Sequence, residues 1–460
     1  MRTRKGREIF NLYDVFTPST PARATFIERQ SVNNKLVEAL STPGKQIIIY
    51  GHSGSGKTTL LINKLDQIYE KYVITRCMVG MSFDSILMHG FAELDRYYIE
   101  KVDKVAKRKV GLQIGTEYKL IKAQLSGEVE KTESVSVKPI IPPLLTAQFL
   151  IKFYGELNCC WVLEDFHKIS HDEKIQAAQI MKVFMDSAME YRNVKLIAIG
   201  AVNTGREVIN YDKEMQQRLS QISVPLMSEE ELNEIIEIGE RQLNIKFDIP
   251  VKGAIVRASS GLASICHQLS LNCCSHKGVF ETSDNIIRMD ETALNAAFEM
   301  YVEDNEDSIK QDYEEAIKKD DGVEDLPEII LTTIARYRSE EVPYKTILKK
   351  LEFEYKNKDK KLGEMPIELL MNELQKDIRG SVLVYNQKIE SYSFVNPFMR
   401  VYVQCVLKSD LLDNVYNDKN NHVMLSKMVD KMHRIFYEGV YDDNEALGNI
   451  EDDIDDIMGR

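Results

Sequence analysis

The sequence is poor in the features that mark secreted, membrane-spanning and metal-bound proteins. Its 7 cysteines form no CxxC pair, and its 8 histidines include no HExxH arrangement. No apolar run approaches the ~20 residues that a membrane-spanning helix needs. The basic start MRTRKGREIF lacks the apolar centre of a signal peptide. These absences predict a cytoplasmic protein with buried, reduced thiols, no contact with a membrane and no metal site built from protein side chains alone.

Concentrated positive charge is also missing. The net charge is −13 at pH 7, and the terminal segment 441–460 is strongly acidic. Short basic patches occur at RTRKGR and KVAKRK, but no basic stripe runs through the chain, which disfavours extended nucleic-acid binding. A GxSxG nucleophile motif is absent as well. The acidic end is interpreted as a solvated tail, with partner binding or self-masking as the alternative.

What the chain does have is an alternation of apolar strands and amphipathic helices. Its 460 residues, 43% hydrophobic and 28% charged, suffice for roughly two or three globular domains. Strands are predicted at 46–50, 159–166, 193–203 and 221–226, with helical patterns between them. This alternation predicts an α/β fold with a parallel sheet covered on both faces.

Breaks in the pattern divide the chain into segments. The chain becomes helical at Ser228, where Glu231 three residues later completes a capping-box pattern. A further pair of helices, broken at Gly261, is predicted after it. Near the end, three helices and a two-stranded hairpin predict a winged-helix domain. The predicted segments are an irregular lead-in at 1–29, an α/β core at 30–226, a helical region at 227–302, an acidic linker at 303–326, the winged helix at 327–407 and a helical, acidic tail at 408–460. Within the core, period-two alternation at 108–138 predicts an inserted β-hairpin, with an irregular surface loop as the alternative.

A glycine-punctuated loop follows the first predicted core strand. Residues 51–58, GHSGSGKT, satisfy the GxxxxGK[ST] pattern, and a helical pattern starts where the loop ends. In such a loop, backbone N–H groups turn toward phosphate oxygens, and the positive end of the helix dipole strengthens the attraction. Lys57 is predicted to reach the β- and γ-phosphates, and Thr58 to place its hydroxyl on Mg²⁺. The predicted nucleotide-binding residues here are Gly51, His52, Ser53, Gly54, Ser55, Gly56, Lys57, Thr58 and Thr59.

An acidic pair ends a later strand. In CCWVLEDF, apolar residues lead directly into Glu164 and Asp165. Adjacent carboxylates repel each other unless a cation lies nearby, so this pair predicts a partner for the phosphate loop. Glu164 is assigned to the Mg²⁺ side, through water, and Asp165 to the side of the attacking water. Capping of the following helix by Asp165 is the alternative, and it is compatible with the first.

Polar residues after the next strand supply further candidates. Asn203 could hold the attacking water or sense the γ-phosphate, and an Asx turn before Gly205 is an equal alternative. Arg206 and Arg218 follow, and Arg218 precedes the last predicted core strand. An arginine there could act as a finger on the nucleotide of a neighbouring subunit. An exposed salt bridge is the competing interpretation.

Four stretches in this order resemble the AAA+ and STAND-type ATPases, in the branch similar to origin-recognition initiators and archaeal-type ATPases. They are FTPSTPARATFIER, the phosphate loop, VLEDFH, and RLSQISVPLMSEEELNEII with SSGLASICHQL, and the resemblance spans about residues 15–405. It implies a P-loop core, a helical lid and a winged helix, with ATP and Mg²⁺ as ligands and ATPase activity. It also implies that Phe26 and Arg29 line the adenine side, that Asn203 is the first sensor, and that Arg218 is the arginine before the last core strand.

Two departures from the family pattern bear on activity. The usual strand-end pair is Asp-Glu, whereas this chain has Glu164-Asp165. The lid's usual sensor arginine falls near Ser264 and is missing, and Arg257, one or two turns earlier, is a doubtful substitute. Both departures favour a slowly hydrolysing switch over a fast motor.

The preferred interpretation is an ATP-binding switch that relays its nucleotide state to self-assembly into a homo-oligomer or to an effector protein. Prokaryotic anti-phage defence is implied by family association alone. The first alternative is a DNA-binding initiator or transposition regulator acting through the winged helix. Against it stand the acids of the candidate recognition helix, Glu368, Glu373 and Asp377. The second alternative is a scaffold that binds nucleotide without turnover.

Overall fold

The computed structural model describes residues 3–4, 7–69, 71–94, 122, 146–201, 215, 217–305, 309–318, 326–337, 339–357 and 364–406. Several predictions fall outside these residues: the hairpin at 108–138 (Lys122 apart), Asn203, Arg206 and the tail at 408–460. Among the described helices, none combines the length and the apolar character needed to cross a membrane.

The lead-in is more ordered than the sequence suggests. It contains two short paired strands, β1 (Thr3–Arg4) and β2 (Arg7–Glu8), and a helix, α1 (Leu12–Val15), which Asn11 caps. Leu12, Val15 and Phe16 are fully buried in the core of the helical region. The prediction of an irregular segment was wrong here, because one helical turn is too short to produce a readable period.

The central α/β unit confirms the predicted fold class. Its elements are α2 (Gln30–Ser41), β3 (Gln46–Tyr50), α3 (Lys57–Ile68), β4 (Tyr72–Arg76), α4 (Phe83–Glu93), α5 (Ala147–Leu157), β5 (Cys160–Glu164), α6 (His171–Asp186), β6 (Lys195–Gly200) and β7 (Leu219–Ser223). Five strands form one parallel sheet in the order β4-β5-β6-β3-β7. The continuous apolar run of β3 is buried on both faces, as a central parallel strand requires.

The last core strand lies earlier than predicted. Register with β3 pairs Gln46 with Leu219 and Tyr50 with Ser223, so β7 occupies 219–223 and not 221–226. Pro225 lacks the N–H that would continue the ladder, which explains why the strand ends before it.

The helical region follows. Its elements are α7 (Glu229–Leu243), β8 (Ile245–Phe247), α8 (Ile249–Ser259), α9 (Ala263–His276), β9 (Ile287–Met289) and α10 (Glu291–Asp304). The capping box of Ser228 and Glu231 is confirmed, since both reciprocal hydrogen bonds are present. The predicted break at Gly261 is confirmed too, because Ser260 and Gly261 both adopt left-handed backbone between α8 and α9.

The C-terminal region contains the predicted three helices and hairpin, with additional elements. They are α11 (Gln311–Ala316), α12 (Leu326–Arg336), β10 (Val342–Pro343), α13 (Tyr344–Asn357), α14 (Glu364–Glu373), β11 (Leu383–Asn386), β12 (Ser391–Phe394) and α15 (Pro397–Val406). The strands β10, β12 and β11 pair antiparallel in that order. A single apolar core joins this region to the helical region and the lead-in.

Candidate active site

One cavity of about 650 Å³ opens at the carboxyl ends of the parallel strands. Its wall combines the lead-in, the phosphate loop, the ends of β5 and β6 and the first turns of α9. This size is ordinary for a small-molecule site, and this edge is where open α/β sheets bind ligands. All predicted phosphate-loop residues except His52 line the cavity.

The phosphate loop has the backbone that its glycines predict. Gly54 and Gly56 adopt left-handed φ angles of 76° and 89°, which side chains rarely tolerate. Lys57 Nζ donates to the carbonyls of Gly51 at 3.0 Å and His52 at 2.6 Å. Burial lowers the pKa of Lys57, and the negative charge of Asp165 opposes that shift. The lysine therefore stands at the loop's inner side, where an incoming phosphate would offer it stronger acceptors.

The hydroxyl of Thr58 meets the strand-end acid as predicted from the motif. Thr58 Oγ1 donates to Glu164 Oε1 at 2.7 Å. The other carboxylate oxygen, Oε2, accepts from Arg76 Nε at 3.2 Å. A hydroxyl and a carboxylate placed together are the oxygen ligands that Mg²⁺ prefers, directly or through water. These residues fit the predicted ion, although no cluster of three or more metal-ligating acids, cysteines or histidines occurs in the described part of the chain.

Asp165 holds an unusual backbone conformation beside Glu164. Its φ is 57°, in the left-handed region that non-glycine residues seldom occupy. Its side chain makes no capping bond and instead accepts from Lys168 Nζ at 2.6 Å. The alternative of a helix cap is therefore wrong, and Ser170 caps α6 instead. Strained backbone of this kind is often found at functional sites.

The two lead-in candidates border the cavity in different ways. Phe26 packs against the core beneath the phosphate loop's helix and lies under Lys64 Nζ, 5.8 Å from the ring centre. The guanidinium of Arg29 is already engaged: it donates to the carbonyls of Pro225 and Leu226 and pairs with Glu231 at 3.1 Å. Arg29 thus ties the lead-in to the junction between core and helical region, which positions the cavity wall.

The start of α9 closes the cavity above the phosphate loop. Ser264 N–H points to the carbonyl of Gly54 at 3.4 Å, and a Cβ at Gly54 would lie 2.4 Å from Ser264 Oγ. Ser264, where the family arginine is missing, therefore lies directly on the loop. Arg257 is not among the cavity-lining residues.

The remaining arginine candidate lies at the amino ends of the parallel strands, on the side of the sheet away from the cavity. Arg218 precedes β7 and pairs with Asp186 at 2.7 Å, with both side chains about half exposed. An exposed salt bridge is the alternative to an arginine finger that the sequence analysis names for Arg218. A role on a neighbouring subunit's nucleotide stays a prediction.

The C-terminal region reaches the phosphate loop as well. His52 Nε2 lies 3.4 Å from Glu340 Oε1, and the ring of Phe398 lies 3.6 Å from the position of a Cβ on Gly54. No sequence pattern indicated these contacts.

The cavity is also lined by residues that were not predicted from the sequence, among them Arg76, His267 and Thr17. Arg76 ends β4, but its place beside Glu164 depends on strand order, which the sequence does not reveal. His267 and Thr17 line the far end of the cavity from the phosphate loop, and each lies within a quoted motif. The buried side of this helix also carries Ser270 and Asn272, so the sequence held no signal that set His267 apart.

No family model matches the chain, and no curated protein matches it. The chain is similar to several solved structures, including the following three. A Walker-type ATPase of Pyrococcus abyssi is 15% identical with a TM-score of 0.48, over 84% of this chain and 98% of the other. Cdc6p of Pyrobaculum aerophilum is 10% identical with a TM-score of 0.40, over 87% and 98%. The ORC1 protein of Aeropyrum pernix in complex with DNA is 12% identical with a TM-score of 0.39, over 88% and 98%.

At identities of 15% or lower and TM-scores below 0.5, these similarities carry no argument about what the chain does. The function is therefore argued from the residues of the cavity.

Proposed function

We propose that this chain binds ATP with Mg²⁺ and hydrolyses it slowly, as an AAA+/STAND-like switch. The observation that carries the proposal is the meeting of Lys57, Thr58 and Glu164 in one cavity, with Thr58 Oγ1 2.7 Å from Glu164 Oε1. A cation, a hydroxyl and a carboxylate at the mouth of a glycine-rich loop match the needs of a triphosphate and its metal ion. The proposal includes the domain boundaries that the sequence analysis predicts.

Each residue has a role in the proposed hydrolysis. Thr58 and, through water, Glu164 would hold Mg²⁺, which neutralises charge on the phosphates when bound. Lys57 contacts the β- and γ-phosphates, and Asp165 orients the attacking water, whose oxygen displaces ADP from the γ-phosphorus. In the structure Lys168 Nζ donates to Asp165 Oδ2 at 2.6 Å, which leaves Oδ1 for the water. The short carboxylate side chain of Asp165 supports slow hydrolysis.

The relay part of the proposal rests on contacts to the phosphate loop. Ser264 of the helical region and Glu340 and Phe398 of the C-terminal region all lie against residues 52–54. A triphosphate that reshapes this loop would move both regions, since packed interfaces shift between discrete arrangements. A winged helix at 327–407 would then present the altered state to a partner or to another copy.

The first test measures ATP binding by isothermal titration calorimetry, with and without Mg²⁺, and hydrolysis by phosphate release. Lys57→Ala should weaken binding, because a charged hydrogen bond contributes about 1.5–3 kcal/mol. Asp165→Asn should bind ATP normally and lose turnover. Lys35→Ala, which removes an exposed lysine of α2, is the matched control. Binding that is equal in the Lys57 and Lys35 variants would refute the phosphate-cradle proposal, and unchanged turnover in Asp165→Asn would favour a scaffold.

Assembly is tested by light scattering on the nucleotide-free protein and with a non-hydrolysable ATP analogue plus Mg²⁺. Growth to a ring or filament supports the homo-oligomer. A constant mass directs the search to an effector protein. The anti-phage role is tested by phage infection of cells that express either the wild-type chain or Lys57→Ala. Equal protection of the cells by both would refute this role.

The DNA-binding alternative is tested separately. The exposed face of α14 carries Glu368 and Leu369, the latter 58% exposed, and this combination suits a protein partner better than a phosphate backbone. Duplex binding that falls steeply with salt would nevertheless favour an initiator or transposition regulator. Absent binding at low salt would favour the switch.

A further inference from the structure

The far end of the cavity contains one buried polar ring that the proposed chemistry does not use. His267 lies on α9 and is 3% exposed, and its ring borders the cavity. Ser264, nearly one turn earlier on the same helix, contacts the phosphate loop. His267 therefore stands beyond the phosphates along α9, at the end formed with the lead-in.

The surroundings of His267 fix both its position and its tautomer. Thr17 N–H donates to Nδ1 at 3.2 Å, so Nδ1 must carry a lone pair. Phe16 packs edge-on against the ring, with centres 6.1 Å apart. Phe16 is held in turn by Gly239, where a Cβ would lie 2.3 Å from the ring's Cζ atom. Burial lowers the pKa of His267 to about 4, so the ring is neutral at pH 7 and its one proton is on Nε2.

Nε2–H is consequently a donor in need of an acceptor. No residue in the described part of the chain accepts a hydrogen bond from it. Nε2 is not one of the fully enclosed atoms that lack a partner, so it opens to the cavity, from which a ligand acceptor can reach it. Thr17 Oγ1 is buried and without a hydrogen-bond partner among the described residues.

The other residues that line the cavity indicate which kind of ligand atom accepts the hydrogen bond from Nε2–H. The cavity lining includes the apolar side chains of Ile27, Ile235 and Ala263, which suit the faces of a heterocyclic base. The carboxylates that line the cavity, Glu164 and Asp165, are at the phosphate end. Both bases offer N7 as an acceptor, but guanine N1 carries a proton and would need an acceptor such as a carboxylate, whereas adenine N1 is itself an acceptor.

We propose that His267 recognises the base of the bound nucleotide by donating Nε2–H to a ring nitrogen of adenine. The inference rests on the proposed ATP binding and names its base-reading residue. Phe16, Gly239 and Thr17 are positioning residues, because they act only by holding the ring and its tautomer.

The test compares ATP with 1-deaza-, 3-deaza- and 7-deaza-ATP, each of which replaces one ring nitrogen by C–H. Calorimetry on the wild-type chain should show one analogue binding roughly 3- to 10-fold more weakly than ATP, the effect of one neutral hydrogen bond. His267→Phe should bind ATP as weakly as that analogue and lose the preference between the two. His276→Phe, at the exposed end of the same helix, is the control and should keep it.

Wild-type comparisons need no variant, so a poorly folded His267→Phe does not decide the question. His267→Gln is the second variant: its amide oxygen can accept from Thr17 N–H and its NH₂ can donate, so part of the preference should return. Equal binding of all three analogues to the wild type overturns the inference, and so does a preference that survives in His267→Phe. A penalty seen only with 2′- or 3′-deoxy-ATP would assign His267 to the ribose and overturn it too. Absence of any ATP binding would instead refute the proposed function.

Discussion

Replacing Gly54 by alanine tests whether the helical region truly lies on the phosphate loop. Two costs combine at this residue. Its φ of 76° is left-handed, which costs an alanine about 1–2 kcal/mol. A Cβ would also lie 2.4 Å from Ser264 Oγ, so this hydroxyl must turn away from its rotamer, at a cost of about 0.5–1.5 kcal/mol.

Gly80 provides a control that separates the two costs. Its φ is 79°, yet nothing lies within 4 Å of a Cβ built there. Gly80→Ala therefore carries the backbone term alone, partly offset by the stiffer unfolded chain, for a net loss of about 1 kcal/mol or less. Gly54→Ala should lose about 0.5–1.5 kcal/mol more than this control.

A double variant identifies the contact. Ser264→Ala removes the atom that Cβ would meet, so Gly54→Ala/Ser264→Ala should recover most of the steric part and none of the backbone part. Urea denaturation followed by fluorescence is a suitable assay, because Trp161 is the single tryptophan and is buried in β5. Equal losses for the two glycine variants, or no recovery in the double variant, would refute the contact between α9 and the loop.

Three further outcomes are expected. Hydrogen bonds, first from Lys277 and then from Thr292, hold the pKa of Asp290 well below its usual range. The carboxylate therefore stabilises the fold above about pH 4, and this contribution is lost as the pH falls further. Asp290→Asn should flatten the acid side of a plot of melting temperature against pH, and an unchanged plot would contradict this. Arg76→Ala removes an exposed ion pair, so the free energy of unfolding should change by less than about 1 kcal/mol. Phosphate release should nevertheless slow, because one carboxylate oxygen of Glu164 loses its hydrogen-bond donor. A slower rate caused only by weaker ATP binding would argue that Arg76 does not position Glu164. Arg218→Ala should reduce turnover only at protein concentrations at which the chain assembles, and an equal loss in dilute monomer would exclude a finger acting between subunits.

Much of the core could be predicted because its signals are local. The apolar run at 46–50, the glycines after it and the capping box at Ser228 each specify a conformation through neighbouring residues alone. The departures arose where distant residues decide the outcome. Pairing with β3 set the start of β7, and burial beneath α7 ordered the single turn of α1.

The candidate site divides in the same way. Lys57 and Thr58 could be assigned from spacing, since a phosphate loop and the helix after it are continuous in sequence. Arg29 had been placed on the adenine side, but its guanidinium is engaged by two carbonyls and Glu231, about 200 residues away in the chain. Arg76 and His267 are ordinary residues in the sequence and become candidates only through their neighbours.

By itself, the sequence determined the phosphate loop, its flanking strand and helix, and the carboxylate at the end of β5, because backbone conformation and hydrophobic period are properties of contiguous residues. Tertiary structure alone decided what surrounds that loop. The order of parallel strands brought Arg76 to Glu164, the fold of the helical region laid Ser264 and His267 along the cavity, and the C-terminal region brought Glu340 to His52. Such contacts join segments up to hundreds of residues apart, and they follow from burying shared apolar surface, which no local pattern specifies.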